Sequence, residues 1–387
     1  MENFTYCTPT RLIFGKGAIK NLPDVLAPLG KKVLLTYGGG SIRKIGLYDE
    51  VRRLLDGFEV YELSGIEPNP KYTTSVLGGV KLCKKHGIDV VLAVGGGSVL
   101  DCSKAICAGA LYDGEPWDLI SYKVKAQKAL PLVDVLTLAA TGSEYDSGCV
   151  ISRTETNDKV GYLDEHLFPV ASILDPCYTF SVSAKQTAAG AADAINHIME
   201  QYFCGVHSDL ADGMCESAIK SLIKNAEIAL REPENYEARG EFMVDCSIAC
   251  NGILSIGNSY SGWPCHGMEH ALSAYYDITH GEGLAILTPR WMKHILNDST
   301  MERFVSFGTH IFGIDATLSA KEIAAKTIDA TYALFKSFGM PMHLREVGID
   351  ESRLGEMAHH IAIGEELDKA WAPLSENDIL DILKASL

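Results

Sequence analysis

The chain is short of positive charge. Its 34 Lys and Arg stand against 50 Asp and Glu, a formal net charge of -16. Such a balance repels phosphate backbones and anionic membrane surfaces, so neither nucleic acid nor membrane is an expected partner. No apolar run reaches the length of a membrane span, and Met1 to Thr10 lack the basic start and apolar core of a signal peptide. A cytoplasmic location is the expectation. No CxxC pair occurs among the 11 cysteines, and an odd number without local pairing suits reduced thiols better than a disulfide framework. Internal repeats, low-complexity tracts and long flexible linkers are also absent.

What remains is a chain of 387 residues, 47% hydrophobic and 22% charged, able to bury a large core and long enough for two domains. Val33 to Tyr37 and Val90 to Val94 read as buried parallel strands, each followed at once by three glycines. Leu130 to Ala139 and Ala171 to Asp175 read as further strands, while Lys71 to His86 and Val99 to Ala110 carry helical spacing. This alternation predicts an α/β, doubly wound, Rossmann-like domain over residues 1–182. From Ser183 the texture changes to long alanine- and leucine-rich segments without β-branched runs, which predicts an all-helical domain over 183–387. Ser183-Ala-Lys-Gln186 has the spacing of a capping box at its first helix.

Gly95-Gly96-Gly97-Ser98-Val-Leu-Asp101 follows a strand and precedes a helix, where backbone N–H groups and the helix dipole favour a phosphate. Leu100 stands where G-x-G-x-x-G needs its third glycine, so this is a variant phosphate loop. One such loop could equally be a tight turn between strand and helix. Two more weigh against that: Gly38-Gly39-Gly40-Ser41 also ends a strand, and Thr137-Leu-Ala-Ala-Thr141-Gly-Ser143-Glu144 ends a third with hydroxyls and a glycine. Loops of this kind at the carboxyl ends of parallel strands make a dinucleotide crevice. Gly38 to Ser41 offer no carboxylate to hold a ribose 2′-hydroxyl, and Arg43 and Lys44 lie just beyond, which favours NADP(H) over NAD(H).

Asp193 and His197 are four positions apart within Ala191-Ala-Asp-Ala-Ile-Asn-His197, so both project from one helix face. His266 and His270 repeat that spacing, and His280 opens a Gly-Glu-Gly segment ten residues on. A single histidine is most often a hydrogen-bonded core or surface residue. Five such groups in an apolar helical domain are costly unless paired or metal-bound, and one carboxylate with three nitrogens suits a divalent first-row metal. His266-x-x-Glu269-His270 also matches the H-x-x-E-H helix of inverted zinc proteases, a chemistry with no use for glycine loops on a nucleotide-type sheet.

With these residues in view, the chain resembles the iron-containing alcohol dehydrogenase family, in particular its butanol dehydrogenase branch. The resemblance runs through Thr8-Pro-Thr-Arg-Leu-Ile-Phe-Gly15, the Gly95 to Asp101 loop, Ala140-Thr-Gly-Ser-Glu144, Asp175-Pro176, the Asp193/His197 pair and the His266, His270, His280 run. It implies a nucleotide domain followed by a helical metal domain, with Asp193, His197, His266 and His280 holding one divalent metal, Fe2+ or Zn2+. The glycine loops, with Ser98, Asp101, Thr137, Thr141 and Ser143, would bind the dinucleotide. His270 would lie near the nicotinamide and move a proton, Lys159 would stand near the nicotinamide end, and a homodimer is common in that branch. The expected reaction is reduction of small aldehydes or oxidation of small primary alcohols. Polyol, polyol-phosphate and dehydroquinate-synthase-like chemistry share this architecture, but no Lys/Arg cluster between positions 193 and 280 favours a phosphorylated substrate. A noncatalytic nucleotide sensor is the alternative of another class.

Overall fold

The computed structural model describes residues 1–387. Eight strands are present: β1 (Arg11–Phe14), β2 (Lys32–Tyr37), β3 (Glu59–Leu63), β4 (Val90–Gly95), β5 (Leu132–Leu136), β6 (Gly148–Arg153), β7 (Asp158–Leu163) and β8 (Ala171–Leu174). Six of them form one parallel sheet in the order β1-β8-β5-β4-β2-β3, and β6 and β7 pair as a separate antiparallel hairpin. Composition explains their places. The Val-Val-Leu-Ala-Val-Gly run of β4 is buried at every residue, as a central strand covered on both faces must be. β1 and β3, at the edges, are partly exposed along their length. The chain runs from β2 outward to β3 and returns to β4 on the other side of β2, so the strand order reverses there. Tyr37 is level with Val94 and Gly95 with Leu136, which brings the carboxyl ends of β2, β4 and β5 side by side. Ligands of open α/β sheets bind at such a reversal.

The helices flanking the strands are α1 (Leu22–Leu26), α2 (Ser41–Lys44), α3 (Leu47–Leu54), α4 (Leu77–His86), α5 (Gly97–Ala110) and α6 (Trp117–Ile120). From α7 (Ala184–Tyr202) onward no strand occurs: α8 (Asp209–Arg231), α9 (Tyr236–Ala249), α10 (Pro264–Tyr276), α11 (His280–Ile295), α12 (Met301–Ile311), α13 (Ala320–Ser337), α14 (Leu354–Gly364) and α15 (Glu376–Ala385) follow. None is long and apolar enough to cross a membrane. Ser183 caps α7 by accepting the Gln186 N–H at 3.2 Å. Only this half of the expected capping box forms, whereas both halves form at Ser319/Glu322 and Ser375/Asp378, where a carboxylate makes the return bond.

The chain divides into two compact units, an α/β unit of residues 7–182 and 232–251 and a helical unit of 1–6, 183–231 and 252–387. The contiguous division expected at 182/183 is therefore interrupted: α9 belongs with the sheet. Gly240 of α9 lies against the Phe14 ring, and Ser247 donates to the buried Glu144 carboxylate beneath the third loop. A helical, alanine-containing segment does not announce which core it covers.

Gly142 joins that loop to α9. Its φ is +73, and an added Cβ would stand 2.8 Å from the Cys246 carbonyl oxygen. Gly142→Ala is thus both strained and overpacked, and it should cost about 1–3 kcal/mol. Urea unfolding followed by circular dichroism checks this; an unchanged midpoint would show that loop and helix give way freely.

Candidate active site

Three loops meet at the sheet reversal. α5 begins at Gly97 behind Gly96, which makes no side-chain cap, so the first N–H groups of a buried 14-residue helix are left for another acceptor. Crowding fixes the glycines: a Cβ on Gly97 would meet the Thr141 side chain at 2.6 Å, and one on Gly96 would meet Leu138 at 3.0 Å. Gly38 approaches the Ile66 carbonyl, whereas Gly39 and Gly40 face open space ahead of Ser41, the first residue of α2. The Thr137 N–H donates to the Gly95 carbonyl at 2.9 Å, tying the third loop to the second. The structure thus brings Gly38 to Ser41, Gly95 to Ser98, Thr137 and Thr141 to one edge.

Asp101 and Ser143 have a different local task. The Ser143 hydroxyl donates to Asp101 Oδ1 at 2.7 Å and the Val150 N–H to Oδ2 at 2.9 Å, so Asp101 holds the third loop and β6 onto α5. Burial pushes its carboxyl up to about 6 against Lys104 and these two donors. Lys159 sits on β7 opposite Ser152 and is buried.

In the helical unit, α7 presents Asp193 and His197 one turn apart, α10 presents His266 and His270, and α11 starts with His280. Asp193 Oδ1 faces three imidazole nitrogens: His197 Nε2 at 3.3 Å and His266 Nε2 and His280 Nε2 at 3.6 Å each. Asp193, His266 and His280 bring ligand atoms within 4.8 Å of one another, and His197 adjoins them with its ring stacked on His266 at 4.7 Å. Asp193 Oδ1 and His266 Nε2 are buried and make no hydrogen bond. Metal–ligand bonds of ~2.1 Å in a tetrahedron separate the donors by about 3.4 Å, so these spacings fit a first-row dication.

Electrostatics pulls the imidazoles in opposite directions. Burial pulls the His197 imidazole down to about 3 despite Asp193, keeping it in the neutral, ligating form. Burial also acts on His266, but Glu200 and Asp193 outweigh it and hold that imidazole up at about 9. Burial alone would raise the Asp193 carboxyl, yet the imidazoles together hold it far below the usual range.

His270 stands apart from the ligand group. Its ring is 6.0 Å from that of His280 and its Nδ1 is 3.4 Å from Glu365 Oε1. Two contributors escaped sequence reasoning. Glu200 accepts from His266 Nδ1, and Trp263 lies edge-on to His266 at 5.1 Å. The signal for Glu200 was present, since 193, 197 and 200 share one helix face. Glu269, the would-be base of an inverted zinc protease, is fully buried and accepts from His280 Nδ1 and the Ser273 hydroxyl, which leaves it no access to water.

A family model described as iron-containing alcohol dehydrogenase matches residues 9–176, and one described as the C-terminal part of the Fe-containing alcohol dehydrogenase family matches 187–387. The NADH-dependent butanol dehydrogenase A of Clostridium acetobutylicum is 46% identical over 390 residues, covering 100% of both chains. The NADPH-dependent aldehyde reductase YqhD of Escherichia coli is 39% identical and covers 92% of this chain and 91% of its own. The crystal structure of NADH-dependent butanol dehydrogenase A from Thermotoga maritima matches with a TM-score of 0.95 at 38% identity, covering 100% of this chain and 99% of that one.

Two predictions follow from the geometry. His266→Ala and His280→Ala should each lose bound metal and activity together, whereas His270→Ala should slow turnover and keep its metal. Metal analysis of the purified variants decides, and a fully loaded, active His280→Ala protein would remove that residue from the ligand set. Gly96→Val should force Leu138 aside and block approach to the start of α5. Losing even one N–H to phosphate bond, about 1.5–3 kcal/mol, weakens dinucleotide affinity roughly tenfold or more. Nicotinamide fluorescence titration measures it, and unchanged affinity would make the loop a turn only.

Proposed function

The chain belongs to the iron-containing alcohol dehydrogenase family, and from that premise we propose a metal-dependent, NAD(P)H-linked alcohol dehydrogenase and aldehyde reductase acting on small primary alcohols and aldehydes of butanal size. The observation that carries this reading is the buried Asp193 carboxylate facing three imidazole nitrogens at 3.3–3.6 Å, in a chain that also bears three phosphate-type loops. The relatives' names, butanol dehydrogenase and aldehyde reductase, support the substrate class.

Asp193, His197, His266 and His280 would hold one divalent metal. An oxygen and three nitrogens accept iron(II) and zinc alike. A metal held there would supply Lewis acidity, and a bound nicotinamide would supply the hydride chemistry between aldehyde and alcohol. Aldehyde reduction also consumes one proton at oxygen and alcohol oxidation releases one. His270 is the group we assign to that proton: with Nδ1 turned to Glu365, Nε2 is left to exchange it, with water as the relay. The free N–H groups at Gly96 to Ser98 take the diphosphate, Asp101 and Ser143 fix the loop beside it, and Lys159 is assigned to the nicotinamide end.

For the cofactor we place NADP(H) ahead of NAD(H). Gly38 to Ser41 carry no carboxylate to repel a 2′-phosphate, and the Arg43 guanidinium lies 3.6 Å over the Tyr48 ring close behind them. Both NADH- and NADPH-dependent enzymes occur among the relatives. The proposal extends to a cytoplasmic homodimer. Eleven cysteines without a disulfide suit a reducing compartment, and the edge strand β1, ending in the half-exposed Phe14, leaves backbone for a second copy.

Purified protein should oxidise NADPH faster than NADH with butanal at equal concentrations. Chelation should abolish both rates, and iron(II) or zinc should restore them. Turnover that survives complete metal removal would refute the metal mechanism, and a faster NADH rate would reverse the cofactor ranking.

A further inference from the structure

Two carboxylates lie behind the ligand group, and the helical unit has been shaped around each. Glu200 and Glu269 are both fully buried. Burial of an unpaired carboxylate costs several kcal/mol in general, so each must be matched by donors. Glu200 extends the Asp193 face of α7 by one more turn. Its Oε1 accepts the Cys265 N–H at 2.6 Å, and its Oε2 accepts from His266 Nδ1. The Cys265 N–H is one of the first in α10, whose N-cap residue Trp263 is left-handed at φ 50 and offers no capping side chain. Glu200 therefore caps a neighbouring helix and orients an imidazole on that helix with the same carboxylate.

Glu269 does the equivalent work for α11. Its Oε2 accepts from His280 Nδ1 and its Oε1 from the Ser273 hydroxyl, one turn along α10. Gly283 makes room for it: a Cβ there would stand 2.7 Å from Glu269 Cγ. His197 lacks any such support, since its Nδ1 is buried without a hydrogen-bond partner.

We propose that Glu200 and Glu269 are positioning residues for the metal. Each takes the Nδ1–H of a different ligand imidazole, which fixes the tautomer with Nε2 turned toward Asp193 and raises the basicity of that nitrogen. His266 and His280 are by this account the firmly held imidazoles of the set, and His197 is held by ring contacts with His266 and Trp263 without a hydrogen bond at Nδ1. Carboxylate partners behind ligating histidines contribute about 10–100-fold in metal affinity elsewhere. The inference rests on the metal reading above.

The test uses full-length protein loaded with zinc and titrated against a chromogenic chelator, with cobalt(II)-loaded samples for the visible d–d spectrum. Glu200→Gln and Glu269→Gln keep side-chain volume and remove the charge. Each is expected to weaken zinc retention about 10–100-fold and to shift the cobalt bands, while metal-free samples keep the wild-type circular dichroism spectrum. Wild-type retention and unshifted bands in both variants would overturn the proposal. If Glu200→Gln does not fold, because α10 has lost its cap, Glu269→Gln alone decides. His280→Ala separates the two levels: if it also retains zinc like wild type, the metal site itself is misassigned. If it loses zinc while the Gln variants keep it, only the positioning role fails.

Discussion

Asp193 is a carboxylate taken out of water, 3% exposed, with one oxygen that makes no hydrogen bond, and the helical unit is arranged so that this charge is met by imidazoles. Three helices must turn one face each toward it, and side-chain size decides how near they come. At Gly281 a Cβ would sit 2.1 Å from the Ala189 carbonyl oxygen, so the start of α11 rests on the bare backbone of α7. That contact places His280 opposite Asp193. The alanines around Asp193 serve the same end, since larger side chains would hold the helices apart.

The α/β unit meets a related problem with different means. Lys104 is fully buried and donates to Asp146 Oδ1 at 2.7 Å, to the Asp146 carbonyl at 3.0 Å and to the Gly148 carbonyl at 2.7 Å. Burial alone would lower its pKa, but Asp146 and Asp101 together raise it, so the ammonium stays charged. With Asp101 on Ser143 and Val150, this network stiffens the floor of the third loop. Conformational freedom is removed from the segment that crowds Gly97, and preorganised loops lose less entropy when a ligand arrives.

Much of this was legible in the residues. β4 is a continuous apolar run, and β2 and β8 are apolar but for Lys32, Thr36 and Ser172; burial on both faces leaves little else for such runs to be. The edge strands β1 and β3 are short and partly exposed, and the β6–β7 hairpin is built from mixed polar residues around a turn with Asn157 at φ 52, so none carries a strong period. In the site, i,i+4 spacing identified the pairs Asp193/His197 and His266/His270. Glu200 shares that face, yet a lone glutamate on a helix ordinarily faces solvent, and only the packing of α10 across it reveals the burial. Glu269 was noticed for a motif and turned out to serve His280, eleven residues away in sequence. Pairings between elements of this kind depend on three-dimensional approach, which no local spacing encodes.

The assignment of α9 to the sheet has a bearing on how the chain assembles. Residues 7–182 are followed by α7 and α8 of the helical unit before 232–251 return to complete the α/β core. During synthesis the sheet and its three glycine-bearing loops emerge before α9, so Glu144 and Gly142 wait for it, with the long α7–α8 hairpin already made between them. The two cores are thus threaded through one another in time. Neither is a cassette that recombination could exchange by a single cut, and a transplant of the α/β unit has to carry two separate stretches of chain.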